Sequence, residues 1–213
     1  MMLTLEKARH WYDAADPVHG FDHVERVYRM AEHLAQVEGA DLEIVRVAAL
    51  LHDANSGQLG GNSNRSAHHH DAADFARQVL LAEGWSLERI ARVEECILAH
   101  RFRDGSKPPH SLEAKILYDA DKLDAIGAIG VARALAYSLQ TGQPIYREPS
   151  ARFQATGELE NGEAHTAYHE YFFKLVHLRE RLYTPTARRI AEQRHLLMVQ
   201  FFRQLAAEMR GEG

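Results

Sequence analysis

The sequence predicts an all-α protein folded as a single domain over residues 1–213, and three observations carry that reading. Apolar residues recur at helical spacing between breakers, as Ile44, Val45, Val47, Ala48, Leu50 and Leu51 do after Asp41. No stretch of strand length alternates apolar with polar residues, and no internal repeat is present. At 213 residues the chain is long enough to bury one substantial core.

Taken in order, residues 4 to about 15 form an amphipathic helix with Leu5, Ala8, Trp11 and Tyr12 on its apolar side, and Asp16-Pro17-Val18-His19-Gly20 breaks it. Phe21 or Asp22 opens a second helix to about Val37, with Val24, Val27, Ala31, Leu34 and Ala35 facing the core. His23 lies in its first turn, Arg26 three residues on shares its face, and Gly39 ends it. The third helix starts at Asp41, whose carboxylate caps it, and runs to Asp53. Ala54-Asn55-Ser56-Gly57 stops it there, leaving His52 and Asp53 in its last turn.

Residues 54–67, rich in Gly, Asn and Ser, are expected to form a mobile loop. A fourth helix over about 69–83 carries Ala72, Ala73, Ala76, Val79 and Leu80 and ends at Gly84. Ser86 caps a fifth, with Ile90, Val93, Ile97 and Leu98, to about His100. Gly105, Pro108 and Pro109 make residues 101–110 a basic loop. A sixth helix begins at 111–113 and reaches Asp121 with Ala114, Ile116, Leu117 and Ala120 apolar. The seventh runs from Ile126 to about Thr141, where Gly127 and Gly130 permit close approach of another backbone. Residues 142–165 hold Pro144, Pro149, Gly157 and Gly162 and read as a long connection of the kind that serves as a lid, an interface or a disordered segment. Two long amphipathic helices close the chain over about 166–183 and 184–209, the second with Pro185 at its permitted first position.

The formal charge is −5 with both signs scattered, and no basic stripe of the kind a nucleic-acid binder carries is present. No run approaches the roughly 20 apolar residues that span a bilayer. The first residues, Met1-Met2-Leu3-Thr4-Leu5-Glu6-Lys7, lack the apolar stretch of a signal peptide, so a cytoplasmic protein with neither membrane nor nucleic-acid partner is expected. Cys96, the one cysteine, cannot form an internal disulfide, and its neighbours Val93, Ile97 and Leu98 make it a small core residue. The excess is in histidine, 14 of 213 residues, which fits a metal site better than a plain scaffold.

An isolated His-Asp dipeptide is usually a surface feature. Here His52-Asp53 ends an apolar helix, where the negative end of the dipole favours a cation, and it has company. His23 sits in an amphipathic stretch, and Asp121 sits in Tyr118-Asp119-Ala120-Asp121-Lys122-Leu123-Asp124, an acidic cluster within an apolar pattern. Two imidazoles and two carboxylates form a mixed N/O set suited to Mn, Fe, Co, Ni or Zn, and more weakly to Mg.

The pattern of His23, His52-Asp53 and Asp121, spaced by 29 and 68 residues, resembles the HD-domain metal-dependent phosphohydrolases. The match extends to His23-Val24-Glu25-Arg26-Val27, Ala49-Leu50-Leu51-His52-Asp53 and Asp119-Ala120-Asp121-Lys122-Leu123-Asp124-Ala125-Ile126-Gly127. With the two terminal helices, it looks most like the small stand-alone bacterial branch, over about residues 18–208. The resemblance implies an HD-type helical bundle with a core motif region at 18–141 and helices 166–209 packed on it. It also implies a divalent metal held by His23, His52, Asp53 and Asp121, with Mn or Mg favoured, and positions open to water and a phosphate oxygen. One metal is expected; relatives with two use further histidines, and His68, His69, His70 and His100 stand in comparable regions.

The stand-alone branch resembles enzymes that cleave nucleoside triphosphates to monophosphate and pyrophosphate. Metal-activated water would be the nucleophile. Asp53 or Asp124 would take its proton, and the two stay open because a carboxylate that fully coordinates metal is a poor base. Lys122 is the first candidate to meet phosphate charge, followed by Arg26, Arg101, Arg103 and Lys107. His100 suits phosphate contact or proton transfer as well as a core role. Of His68-His69-His70, His69 is the one placed to reach a cavity, since successive residues spread around a helix. His165, His169, His177 and His195 read as surface or packing residues, and Tyr168, Tyr171, Phe172, Phe173, Phe201 and Phe202 as core or homodimer contacts. Phosphomonoester or cyclic-nucleotide hydrolysis on the same site is the first alternative. A non-catalytic module binding metal and nucleotide is the second, and its signature, loss of a ligand, is absent. A purely structural bundle leaves polar groups at three apolar helix ends costly to bury.

Overall fold

In the computed structural model residues 3–12, 20–54, 68–101 and 108–212 are described, and among them there is no strand. The order is α1 (Leu5–Arg9), α2 (Phe21–Glu38), α3 (Leu42–Leu51), α4 (His68–Ala82), α5 (Leu87–Ala99), α6 (Leu112–Asp124), α7 (Gly127–Gln140), α8 (Ala151–Thr156), α9 (Ala167–Phe173), a 3₁₀ helix (Leu175–Arg181) and α10 (Pro185–Met209). The chain divides into two compact units, Met1–Asp121 and Lys122–Gly213. No helix among the described residues is long and apolar enough to cross a membrane.

The first unit is built on α3. Ile44, Val45, Val47, Ala48, Ala49, Leu50 and Leu51 are all buried, because α1, α2, α4 and α5 each pack against this helix. A helix apolar on all sides belongs in the middle of a bundle. Asp41 accepts from the backbone N–H of Glu43 and Ile44, as its capping role requires, and Gly39 ends α2 in the left-handed conformation at φ 77°. Arg92 of α5 bridges Asp41 and Glu113, and Glu113 accepts the Asp41 backbone N–H, so one small network joins the start of α3 to α5 and α6. Cys96 is buried as expected, and burial pushes its thiol up, away from reactivity.

In the second unit α7 and α9 pack together and α10 lies along α7 and the 3₁₀ helix. Thr184 caps α10 with Pro185 at its first position, and the Tyr171 ring stacks on Phe202 at 4.3 Å between centroids, a core contact. The close approach expected at Gly127 exists: an added Cβ would lie 2.9 Å from Cβ and Cγ of Arg194.

Three expectations are corrected. The first helix ends at Arg9 rather than near 15, because Trp11 turns onto the Phe75 ring and the Tyr12 hydroxyl bonds the Leu50 carbonyl; residues 13–15 lie outside those described. The 142–165 connection contains α8, anchored by the buried Phe153 against the His169 and Phe173 rings. Glu163 ties its ends, accepting from the Ser150 backbone N–H and hydroxyl, the Glu160 N–H and His169. The helix expected over 166–183 stops at Phe173 and continues as the 3₁₀ helix. Leu175 and Leu178, three apart and both buried, fit its three residues per turn. The loop expected at 54–67 lies outside the described residues except for Ala54, whose N–H closes a tight turn on the Leu51 carbonyl.

Candidate metal centre

The first unit brings four helix ends or junctions to one place. His23 sits in the first turn of α2, His52 caps the C-terminus of α3 with Asp53 next in the turn, His100 caps α5, and Asp121 lies near the end of α6. The ends of α3 and α5 contribute the negative poles of their dipoles.

His23, His52 and Asp121 offer ligand atoms that all lie within 4.8 Å of one another. His23 Nε2 is 3.4 Å from His52 Nε2 and 3.4 Å from Asp121 Oδ1. Asp53 stands beside them, its Oδ2 3.6 Å from His52 Nε2 and 4.0 Å from His23 Nε2. Its other oxygen, Oδ1, is 3.4 Å from His100 Nε2. The three imidazole rings form a row, His23 to His52 at 5.4 Å and His52 to His100 at 5.2 Å, each pair edge to face.

The rings are oriented by the helices that carry them. His52 Nδ1 donates to the Ala49 carbonyl at 2.8 Å and His100 Nδ1 donates to the Ile97 carbonyl, in each case three residues back. A carbonyl only accepts, so in the neutral ring the lone pair is on Nε2, which faces the cluster. Burial lowers the His52 pKa to about 4, against the pull of the Asp53 charge, so this ring is neutral at pH 7. Burial alone would raise the Asp53 carboxyl; the His52, His100 and His23 rings outweigh it and hold the group well below its usual range.

This donor set fits a divalent ion. The Nε2 lone pairs of His52 and His100 face carboxylate oxygens, acceptors facing acceptors, an arrangement that a central cation resolves. On an ion with bonds of about 2.1 Å, ligands at right angles lie about 3.0 Å apart and opposite ones about 4.2 Å. The separations of 3.4–4.0 Å among His23, His52, Asp53 and Asp121 fall within that range.

Of the other residues singled out in the sequence, His100 is drawn into the cluster through Asp53. His69 is half-buried beside the His70 ring, and burial together with the neighbouring charges of His70, His100 and Arg101 lowers its pKa. Arg26 and Arg101 are half-buried; Arg103, Lys107 and the His68 side chain lie outside the described residues. Lys122 and Asp124 follow Asp121 on α6 and belong to the second unit. There the Asp124 carboxylate, buried, accepts from Arg133 Nη1 at 2.8 Å, while Arg194 donates to the Leu123 carbonyl. His169 is fully buried between Thr166 and Glu163, a packing residue. One residue of the cluster's surroundings had no sequence signal: Tyr12, whose hydroxyl donates to Leu50 at the end of α3.

The model of the HD domain family matches residues 20–126. The Bacillus subtilis protein YpgQ is 36% identical over 196 residues, 91% of this chain and 85% of that protein. The crystal structure of YpgQ in complex with ADP has a TM-score of 0.70 at 32% identity, covering 98% of this chain and 99% of that one. A Lactobacillus plantarum protein of known structure gives 0.74 at 32% identity, with 98% and 95% covered. A predicted HD superfamily hydrolase from an uncultured Thermotogales bacterium gives 0.64 at 30%, with 96% and 90% covered.

Proposed function

This chain belongs to the HD domain family of metal-dependent phosphohydrolases, and from that premise we propose that it hydrolyses a nucleoside triphosphate to the monophosphate and pyrophosphate. The observation that carries the reading is the convergence of the His23 and His52 ring nitrogens with the Asp53 and Asp121 carboxylates. ADP in the YpgQ crystal structure supports a nucleotide as the ligand class.

In this reading His23, His52, Asp53 and Asp121 would hold one Mn or Mg ion. Such an ion offsets phosphate charge and lowers the pKa of water. The oxygen of water bonds to the α-phosphorus, the bond from that phosphorus to the α,β-bridging oxygen breaks, and pyrophosphate leaves with the electron pair. The water proton passes to Asp53. Asp53 is the better base of the two carboxylates considered, because Asp124 is engaged by Arg133 whereas Asp53 Oδ1 faces His100 Nε2. Once it carries that proton, Asp53 Oδ1 can donate to the lone pair of His100 Nε2, 3.4 Å away. Arg26 and Arg101 would supply positive charge to the phosphates.

The test is a panel of nucleotides with Mn or Mg, assayed separately for pyrophosphate and orthophosphate. Pyrophosphate with equimolar monophosphate is expected. Orthophosphate alone moves the assignment to a phosphomonoesterase, ring opening of a cyclic nucleotide to a phosphodiesterase, and no turnover at full metal occupancy to a binding module.

A further inference from the structure

Helix α3 leaves its last carbonyls without helical partners, as every helix does. Three of them have identified partners here: Ala49 the His52 ring, Leu51 the Ala54 N–H, and Leu50 the Tyr12 hydroxyl at 2.8 Å, from a residue 38 positions earlier. The same Tyr12 oxygen receives the Asp53 backbone N–H, and the half-buried Tyr12 side chain lies close to the Asp53 charge. One hydroxyl therefore joins a carbonyl inside the helix to the amide of the residue that follows its cap. Helix α1 delivers it firmly: Ala8 is fully buried, Lys7 pairs with Glu83 just after α4, and the Tyr12 ring rests on Phe21 at 5.7 Å.

We propose that Tyr12 is a positioning residue for the metal centre, its hydroxyl fixing the turn that aims the His52 ring and the Asp53 carboxylate at the ion. The inference rests on the metal-site reading above. Groups that orient ligands through hydrogen bonds typically change metal affinity by about 10–100-fold when removed.

The experiment measures the dissociation constant of Mn(II) alone, by calorimetry and by the electron paramagnetic resonance signal of free ion, on the full chain. Tyr12→Phe keeps the ring and its packing and removes only the hydroxyl; a rise of about tenfold or more in the dissociation constant is expected. Lys7→Ala breaks an exposed anchor of α1 and is expected to leave the constant within about twofold. Equal affinity in Tyr12→Phe and the unmutated protein overturns the proposal. An equal loss in Lys7→Ala overturns it too, since docking of α1 as a whole would then be the cause. Absence of Mn binding in the unmutated protein instead overturns the metal centre itself.

Discussion

Replacing His52 by asparagine separates the ligand role of this ring from its structural role. The asparagine amide nitrogen takes the place of Nδ1 and donates to the Ala49 carbonyl, which His52 now serves at 2.8 Å. It has nothing at the Nε2 position, the atom 3.4 Å from His23 Nε2 and 3.6 Å from Asp53 Oδ2. His52→Ala would also orphan the Ala49 carbonyl, costing about 1–3 kcal/mol, and confuse folding with metal binding. The magnitude follows from linkage. Mn at a hundredfold excess over its dissociation constant stabilises the folded state by about 2.7 kcal/mol. For a chain of this size each kcal/mol is worth about 2–4 °C, so the melting temperature of the unmutated protein should rise by roughly 5–11 °C. His52→Asn should fold in the absence of metal, show less than about 2 °C of that rise, and retain no stoichiometric Mn after dialysis. Differential scanning fluorimetry with and without Mn, and elemental analysis, read both. A full Mn-dependent rise in His52→Asn would refute the reasoning, because the ion would then be bound without this nitrogen.

Two further outcomes test the second unit. The backbone N–H groups of Glu160 and Ser150 and the His169 ring lower the Glu163 carboxyl from 4.5 to about 2. A depressed carboxyl contributes stability that is present above its unfolded value and lost as pH falls, so Glu163→Gln should lower the melting temperature at pH 7. Its deficit should shrink as pH drops from about 4.5 towards 2, and a deficit constant across that window would contradict the assignment. Gly127 has φ 76° with an added Cβ 2.9 Å from Arg194, whereas Gly39 has φ 77° with open space around it. Gly39→Ala should therefore cost only the left-handed penalty of about 1–2 kcal/mol. Gly127→Ala should cost clearly more in urea unfolding, and equal costs would remove the crowding argument.

The helix framework of both units was legible where periodicity ran long and caps were chemical. Asp41, Ser86, Thr184 and Gly39 act as their residue types predict. What was not legible has a physical reason in each case. Residues 151–156 bury one large side chain, Phe153, between prolines and a glycine, too short a segment for any period to show. Leu175 and Leu178 at a spacing of three fit an α-helix and a 3₁₀ helix equally, and only burial on a three-residue repeat distinguishes them. Tyr12 read as one more apolar residue of α1, because its partners are Leu50 and Asp53 and nothing local marks a hydroxyl that reaches across to another helix.

The site itself was more legible than its four residues suggest, because the same local device appears twice. Ala49-Leu50-Leu51-His52 and Ile97-Leu98-Ala99-His100 each end a buried apolar helix in a histidine at the cap. In both, the ring donates Nδ1–H to the carbonyl three residues back, so the helix fixes the tautomer and sends Nε2 outward. A histidine placed so cannot cap the helix with Nε2; that nitrogen must find its partner beyond the helix end, in a neighbouring element. Asp53 supplies the link between the two, one oxygen towards His52 and His23 and the other towards His100. The proposed ligand His52 and the proposed proton partner His100 are thus held by one rule of helix termination. Their distinct roles come from which oxygen of a single carboxylate each one meets.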